Sequence, residues 1–221
     1  ESQLATVGAL AGLDQSTEGF KALNEEAQRL GATTEFSATQ AAQAMEFLVR
    51  AGFDATETLA GTADTLSLAT VGALDLARAS DIATDTLSQF QLPVEELGRV
   101  VDVISKTTVT ANTNVTQFAD AMNYLGPTAQ ALGISLEESS AAIGILSSSG
   151  LKGSLATRAL GTSLVRLTKP TAEAAATLEK FNIEAFNDRG ESVGLAGLIG
   201  QLETSFSGLT QEQEQSALAS I

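Results

Sequence analysis

The fold is decided by a stretch near the middle of the chain, Asn123-Tyr124-Leu125-Gly126-Pro127-Thr128-Ala129-Gln130-Ala131-Leu132-Gly133-Ile134-Ser135-Leu136-Glu137-Glu138. Its first half has helical composition, but a proline inside a helix removes a backbone hydrogen bond and clashes with the preceding turn. Its second half has the Ser-x-x-Glu spacing of a helix N-terminus. The stretch therefore predicts either a helix kinked at Gly126-Pro127 or two short helices that meet there, and then a new helix from about Ser135.

Similar helix starts recur along the chain. A side-chain oxygen is followed three residues later by Glu or Gln at Ser37 and Gln40, Asp54 and Glu57, Asn114 and Gln117, Ser135 and Glu138, and Thr210 and Gln213. Apolar residues at helical spacing follow these starts, as at Ala41, Ala44, Met45 and Leu48. Together the caps and the spacing predict a mainly all-α protein.

A weak internal repeat connects three of the predicted helix junctions. The segments Phe53–Glu57, Leu92–Glu96 and Ile134–Glu138 align at intervals of about 40 residues, which is typical of stacked helix pairs. We therefore expect three helix hairpins packed in series between about Ser37 and Ser149. A helical bundle with short loops has similar spacing, so stacked hairpins and a bundle remain alternatives.

Residues 182–193 break the helical pattern. Apolar and polar residues alternate around Asn187-Asp188-Arg189-Gly190, which is a strong turn signal. This predicts one short β-hairpin, with Ile183 and Ala185 on one arm and Val193 on the other.

The helix stops and turn signals along the chain predict three segments. We expect an N-terminal helical lead-in over residues 1–30, a core of helix hairpins over 31–169, and C-terminal helices with the short β-hairpin over 170–221. The chain begins without Met and stops within a helical pattern. We therefore expect it to be an excerpt of a longer protein.

Composition argues against several classes of function. The 221 residues carry a net charge of −15, and the basic residues are scattered singly, so no direct nucleic-acid binding is expected. The chain contains no His and no Cys, which removes the commonest general base, the usual zinc ligands and disulfide bonds. No apolar run reaches the length of a membrane span.

Several motifs resemble chemical sites, but their spacing favours a structural role. The carboxylate pairs Glu25-Glu26, Glu95-Glu96 and Glu137-Glu138 could serve acid–base chemistry, but the last two lie in predicted first turns, where negative charge favours the helix dipole. Asn187–Glu191 lacks the ligand spacing of a calcium loop. The Gly- and Ser-rich stretch Ser147–Ser154 lacks the spacing of a phosphate-binding loop. We expect no catalytic, cofactor-binding or metal-binding residues, no cofactor and no enzymatic activity.

Small residues at Gly61, Gly72, Gly144 and Gly161 favour close helix crossing. They could also ease later insertion into a bilayer, where small residues mediate helix contacts. Close packing in water is the interpretation we favour.

The opening stretch resembles the core region of phage tail tape measure proteins of the TP901 type. The resemblance covers about Leu30 to Ile221. Four further stretches carry it, namely Leu30–Met45, Leu48–Phe53, Leu74–Ile82 and Ile143–Ser154, the last with Lys152 where the family often has a neutral residue.

The resemblance implies a structural protein of a tailed phage or phage-like particle. Such a protein sets tail length, nucleates tail tube assembly at the tail tip and is released during genome ejection. It implies self-association as a trimer or hexamer, with tail tube proteins, tail-tip or baseplate hub proteins and tail assembly chaperones as partners. The expected location is the virion, in the tail tube lumen or at the tail tip, after synthesis in the host cytoplasm.

Two further expectations follow from the resemblance. The long heptad-rich stretch that would measure the tail is absent from these residues, so this part is expected to anchor one end. The alternative function is a membrane-active channel or ejection module that helps DNA cross the host envelope, with the host membrane as a partner after ejection.

Overall fold

A computed structural model describes residues 2–221, and all of their side chains except those of Ser2 and Ala156. Over this range the chain is built of α-helices, which confirms the predicted class. The helices are α1 (Ser2–Leu10), α2 (Glu18–Thr33), α3 (Ala38–Arg50), α4 (Ala55–Gly72), α5 (Leu76–Gln89), α6 (Leu97–Thr110), α7 (Val115–Ala131), α8 (Leu136–Ser148), α9 (Ser154–Thr168), α10 (Ala172–Lys180), α11 (Gly194–Phe206) and α12 (Gln211–Ser220). A 3-10 turn, Val94–Glu96, precedes α6.

Four helices begin directly after the capping residues that were predicted for them from the sequence. Complete capping boxes precede α3, α4, α8 and α12, at Ser37, Asp54, Ser135 and Thr210. At α4, the Asp54 carboxylate accepts the amides of Thr56 and Glu57 at 2.8 and 2.9 Å, and Glu57 accepts the Asp54 amide at 2.7 Å. A cap of this kind stabilises a helix by about 1 kcal/mol.

The described chain divides into two compact units. The first comprises Glu1–Thr110 with Asn114–Ala119, and the second comprises Ala111–Thr113 with Asp120–Ile221. The division into three segments expected from the sequence stays a prediction.

The first unit contains stacked helix pairs. Helices α3 and α4 pack together, as do α5 and α6, and the two pairs contact each other through α3 with α5 and α4 with α6. Helices α1 and α2 pack on α3, and α2 also contacts α4. This is the arrangement predicted for the first two hairpins of the repeat. The third predicted hairpin, α7 with α8, stays a prediction.

The core of the first unit is made mainly of small and aliphatic side chains. The predicted stripe of α3 is fully buried at Ala41, Ala44, Met45 and Leu48. The buried cluster around it also includes Val7, Leu23, Ala27, Leu30, Ala42, Leu66, Ala69, Leu76 and Ala79. Because many of these side chains are alanine, the helices must approach closely to exclude water.

Gly31 is the closest of these approaches. A Cβ atom at Gly31 would lie 2.4 Å from the backbone nitrogen of Ala38 and 2.8 Å from its Cα, at the start of α3. Gly61 has a similar role between the stacked pairs, since its Cβ would lie 2.6 Å from a methyl of Leu97. Gly161 differs from the prediction, because the space around it is open.

The second unit is held by contacts of α8 with α9 and α11, and of α10 with α12. The rings of Phe181 and Phe206 meet edge to face at 5.2 Å between centroids, and the Ser205 hydroxyl donates to the Phe181 carbonyl at 2.7 Å. The side-chain amide of Gln201 in α11 clamps the backbone of Glu184. It accepts the Glu184 amide at 2.7 Å and donates to the Glu184 carbonyl at 3.2 Å.

The β-hairpin predicted over residues 182–193 is reduced to one antiparallel bridge, between Phe186 and Ser192. The turn lies where it was predicted, and the Val193 amide donates to the Ala185 carbonyl at 3.1 Å. The predicted arm through Ile183 does not extend as a strand. The Gln201 side chain binds both backbone groups of Glu184, so these groups do not pair with a second strand.

We predict opposite effects for two glycine-to-alanine substitutions. Gly31→Ala places a methyl against the Ala38 backbone, which cannot rotate away, so the free energy of unfolding should fall by about 2 kcal/mol or more. Gly200→Ala is the control, because Gly200 lies within α11 in open space and alanine is the better helix former by up to about 1 kcal/mol. Urea denaturation measures both. Equal stability of the Gly31→Ala variant and the parent chain would contradict the close approach.

Candidate functional site

Two of the three carboxylate pairs form ion pairs with a basic residue three positions later, Glu26 within α2 and Glu96 from the 3-10 turn to the start of α6. Glu26 accepts the Arg29 guanidinium at 2.5 and 2.7 Å, and Glu96 accepts the Arg99 guanidinium at 2.6 Å. Pairs of this kind on a helix surface stabilise it by only about 0.3–0.5 kcal/mol. In both pairs one carboxylate faces a basic neighbour one helical turn away.

The third pair supplies a carboxylate, Glu138, that accepts two backbone amides. Glu138 accepts the Ser135 amide at 3.3 Å within the capping box of α8. Its other oxygen accepts the Ala196 amide at 3.3 Å, in the first turn of α11. A carboxylate at a helix N-terminus is favoured by unpaired amides and by the helix dipole. One side chain therefore caps two helices that are 58 residues apart in sequence.

Gly194 makes room for this carboxylate. Its backbone has a φ of +72°, and a Cβ there would lie 2.7 Å from a carboxylate oxygen of Glu138. An L-residue at Gly194 would therefore be strained and would displace Glu138.

The loop at Asn187 is an Asx-type turn. The Asn187 side-chain oxygen accepts the amides of Arg189 and Glu191 at 2.9 and 3.0 Å, and its amide group donates to the Glu191 carboxylate at 2.9 Å. The turn therefore already engages the Asn187 side-chain oxygen and one carboxylate oxygen of Glu191 in hydrogen bonds.

The Gly- and Ser-rich connection between α8 and α9 is also fixed by hydrogen bonds. The Lys152 ammonium donates to the Asn112 side-chain oxygen at 2.8 Å, and the Asn112 backbone amide donates to the Ser148 hydroxyl at 3.3 Å. Lys152, the basic residue that made this stretch a candidate phosphate site, is thus engaged by the protein.

Gly126-Pro127 lies inside a continuous helix. Helix α7 extends from Val115 to Ala131 with Pro127 within it, so the alternative of two short helices that meet there is wrong. Proline brings no N–H donor to the helix, and its ring crowds the preceding turn.

One pair of aspartates, which was not predicted from the sequence, comes together only in the folded chain. Asp64 of α4 lies near Asp102 of α6, and its carboxylate lies over Gly98, where a Cβ would be 3.1 Å from Oδ2. Burial, and then repulsion by Asp102, raise the pKa of Asp64 above its ordinary value of 3.8. A similar pair lies on α5, where burial and repulsion by Asp81 raise the pKa of Asp85, against the opposing effect of Arg78.

An open groove of about 310 Å³ lies between the end of α2 and α4 in the first unit. Its lining residues are Thr34, Glu35, Phe36, Ala63, Leu66, Ser67 and Thr70. The Thr70 hydroxyl donates to the Glu35 carboxylate across it. The groove therefore presents a mainly apolar wall whose single carboxylate is already hydrogen bonded.

Residues 2–221 hold neither a candidate metal cluster nor a candidate membrane-spanning helix. Within this range no three Asp or Glu residues are placed to share a metal ion. None of the helices over the same range combines the length and the apolar character needed to span a bilayer. The expectation of no catalytic, cofactor or metal site stays a prediction.

We predict that Glu138 stabilises the second unit through both helix ends. Glu138→Ala should lower the free energy of unfolding by about 1–2 kcal/mol, because it removes two caps. Glu138→Gln should retain most of the parent chain's stability, since glutamine also serves in a capping box. Glu212→Ala, in the first turn of α12, is the control for loss of a first-turn charge alone. Thermal unfolding measures all three, and an equal loss in Glu138→Ala and Glu212→Ala would contradict the double cap.

We predict a pH-dependent effect of Asp64. Its raised pKa means that the folded chain holds this proton more tightly than the unfolded chain, so stability falls as pH rises through the window above 3.8. Asp64→Asn should therefore raise the melting temperature at pH 7, and this gain should disappear below about pH 4.

Asp14→Asn is the control of opposite sign. Hydrogen bonds from Ser16 lower the pKa of Asp14, so its contribution to stability is present above pH 3.8 and is lost as pH falls. Asp14→Asn should therefore not raise the melting temperature at pH 7. A gain for Asp64→Asn that is the same at every pH would contradict the assignment.

Comparison with known proteins supports the resemblance seen in the sequence. A model of the phage-related minor tail protein family matches residues 24–221. The tape measure protein of Pneumococcus phage Dp-1 is 35% identical over all 221 residues, and the probable tape measure protein of Escherichia phage P2 is 27% identical over 198 residues. No solved structure matches.

The chain spans only part of these relatives. It covers 19% of the Dp-1 protein and 24% of the P2 protein. The predicted resemblance to phage tape measure proteins is nevertheless confirmed, because the Dp-1 match includes the whole of this chain. Since the family model matches most of its length, the chain belongs to the phage-related minor tail protein family.

Proposed function

We propose that this chain is a structural segment of a phage tail tape measure protein. The observation that carries the proposal is the 35% identity to the Dp-1 tape measure protein over the entire chain. The motifs that resemble chemical sites support it indirectly, because Glu138, Lys152 and Asn187 each have a hydrogen-bonding role within the fold. The structural role makes enzymatic activity unnecessary.

Within that role, we propose that the segment anchors one end of the tape. Its longest described helix, α4, has 18 residues and is therefore about 27 Å long. Helices this short, folded back on one another, suit an attachment point better than a ruler whose length tracks a tail. The segment would nucleate tube assembly at the tail tip, while tail length is set by the rest of the tape, which leaves during genome ejection.

The proposed location is the virion tail, in the tube lumen or at the tip, after synthesis in the host cytoplasm. The proposed partners are other copies of the chain in a trimer or hexamer, tail tube proteins, tail-tip or baseplate hub proteins and tail assembly chaperones. The net charge of −15 supports a surface that does not bind passing DNA, because both carry negative charge.

The test is an in-frame deletion of residues 24–221 in a phage whose tape measure gene encodes this chain. We expect loss of tails rather than shorter tails, because an anchor is needed to start the tube whereas a ruler scales with it. Electron microscopy of lysates measures the number and length of tails.

Two point variants test whether the number of tails depends on the stability of the folded segment. Gly31→Ala should reduce the number of tails without changing their length, and Gly200→Ala should leave both unchanged. Tails of normal number and length in the deletion strain would overturn the proposal. Tails shortened in proportion to the deletion would assign the segment to the ruler instead.

A further inference from the structure

Residues 139–172, here called the basic segment, reverse the sign of the chain's charge. They contain Lys152, Arg158, Arg166 and Lys169 and no acidic residue. All 27 acidic residues lie in the remainder, which has eight basic residues. Four of the twelve basic residues therefore lie in a stretch of sequence that contains no acidic residue.

The basic segment also exposes apolar side chains. In α9, Thr157 and Leu164 are buried, whereas Leu155 is 69% exposed and Val165 is 47% exposed. Ile145 in α8 is 67% exposed. Single exposed apolar residues are ordinary on protein surfaces, but these lie on one acid-free segment and alternate with its basic side chains.

One of the cations is held in place by its neighbours. The Arg158 guanidinium donates to the Tyr124 hydroxyl at 2.6 Å and lies 4.4 Å from the centre of its ring. Arg166 and Lys169 are exposed. The N-terminus of α9 has no side-chain cap at Gly153 and no acidic residue in its first turn, so the positive end of the helix dipole adds to the same field.

We propose that the basic segment docks on the acidic surface of a second copy of this chain. The first unit is the complementary surface, because it has sixteen acidic and six basic residues. The raised pKa values of Asp64 and Asp85 reflect this concentration of negative charge in part, since a neighbouring carboxylate contributes to each. This inference rests on the proposed function only in that several copies share one tail.

Charge complementarity favours a second copy, because every copy that carries a basic segment also carries an acidic first unit. DNA and an anionic bilayer are extended anionic surfaces, so they would lie against more of the acidic remainder than a compact partner would. In a contact between copies, the basic segment of one meets the acidic unit of the next, and charges farther apart than about 8 Å are screened at physiological salt. Such a contact joins two different surfaces, and contacts of that type close into rings when the rotation permits.

The test is sedimentation velocity of the chain over a concentration series at physiological salt. The contact variant is Leu155→Asp combined with Arg166→Glu, both on exposed side chains. We expect the parent chain to associate. The dissociation constant of the contact variant should be at least about tenfold higher than that of the parent chain. Unchanged circular dichroism and melting temperature establish that the contact variant is folded.

The control variant is Arg189→Glu combined with Leu218→Asp, which makes the same charge change at exposed positions of the second unit outside the basic segment. It should associate as the parent chain does if net repulsion is not the cause. Equal weakening in the contact and control variants would overturn the proposal.

Mixing tests the asymmetry of the contact. The contact variant keeps its acidic unit, so it should not associate with itself but should bind a labelled parent chain. Failure to bind the parent would overturn a contact between two different surfaces. A parent chain that stays monomeric overturns the proposal outright and leaves the anchor function to be decided by the tail-deletion experiment.

The same variants address the membrane alternative. Vesicles containing phosphatidylglycerol should not retain the chain in a flotation assay. Retention that depends on Leu155 and Arg166, together with a monomeric chain in solution, would reassign the basic segment to an anionic lipid surface.

Discussion

Close approach between helices at residues with little or no side chain is the constraint on which the first unit depends. Aromatic residues make up only 5% of the chain, so few large rings fill the space between helices, and Phe53 and Phe118 are the buried ones in the first unit. The core is instead closed by alanines such as Ala41 and Ala44, and by Gly31, whose hydrogen faces the Ala38 backbone. A core of this kind gains its stability from many short contacts, which are lost together if one pair of helices moves apart.

Local features of the fold could be predicted from the sequence because their causes are local. A capping box needs only two side chains three residues apart, and the boxes at Ser37, Asp54, Ser135 and Thr210 all form. The Asn187 turn formed for the same reason. The strands around it did not extend, because Gln201, which lies 17 residues from Glu184, occupies the backbone groups concerned.

Contacts between distant residues could not be predicted. Asp64 and Asp102 come together only because α4 and α6 belong to stacked pairs. Glu138 was correctly interpreted as a capping residue, but its second helix end, at Ala196, had no signal in the spacing. Spacing predicts which residues share a helix face, whereas the identity of the facing helix depends on tertiary packing. The functional class likewise came from resemblance to a family and not from any single residue.

The distribution of charge connects the fold to assembly. A net charge of −15 opposes the association of copies at a distance, since like charges repel. The proposed assembly needs the opposite at one stage, when copies would lie side by side in the tail. A local reversal of sign meets both needs, because it acts only when the basic segment comes within a Debye length of an acidic surface. Apolar side chains such as Leu155 then add burial that salt does not screen. Self-repulsion at a distance and attraction on contact can thus coexist in one chain.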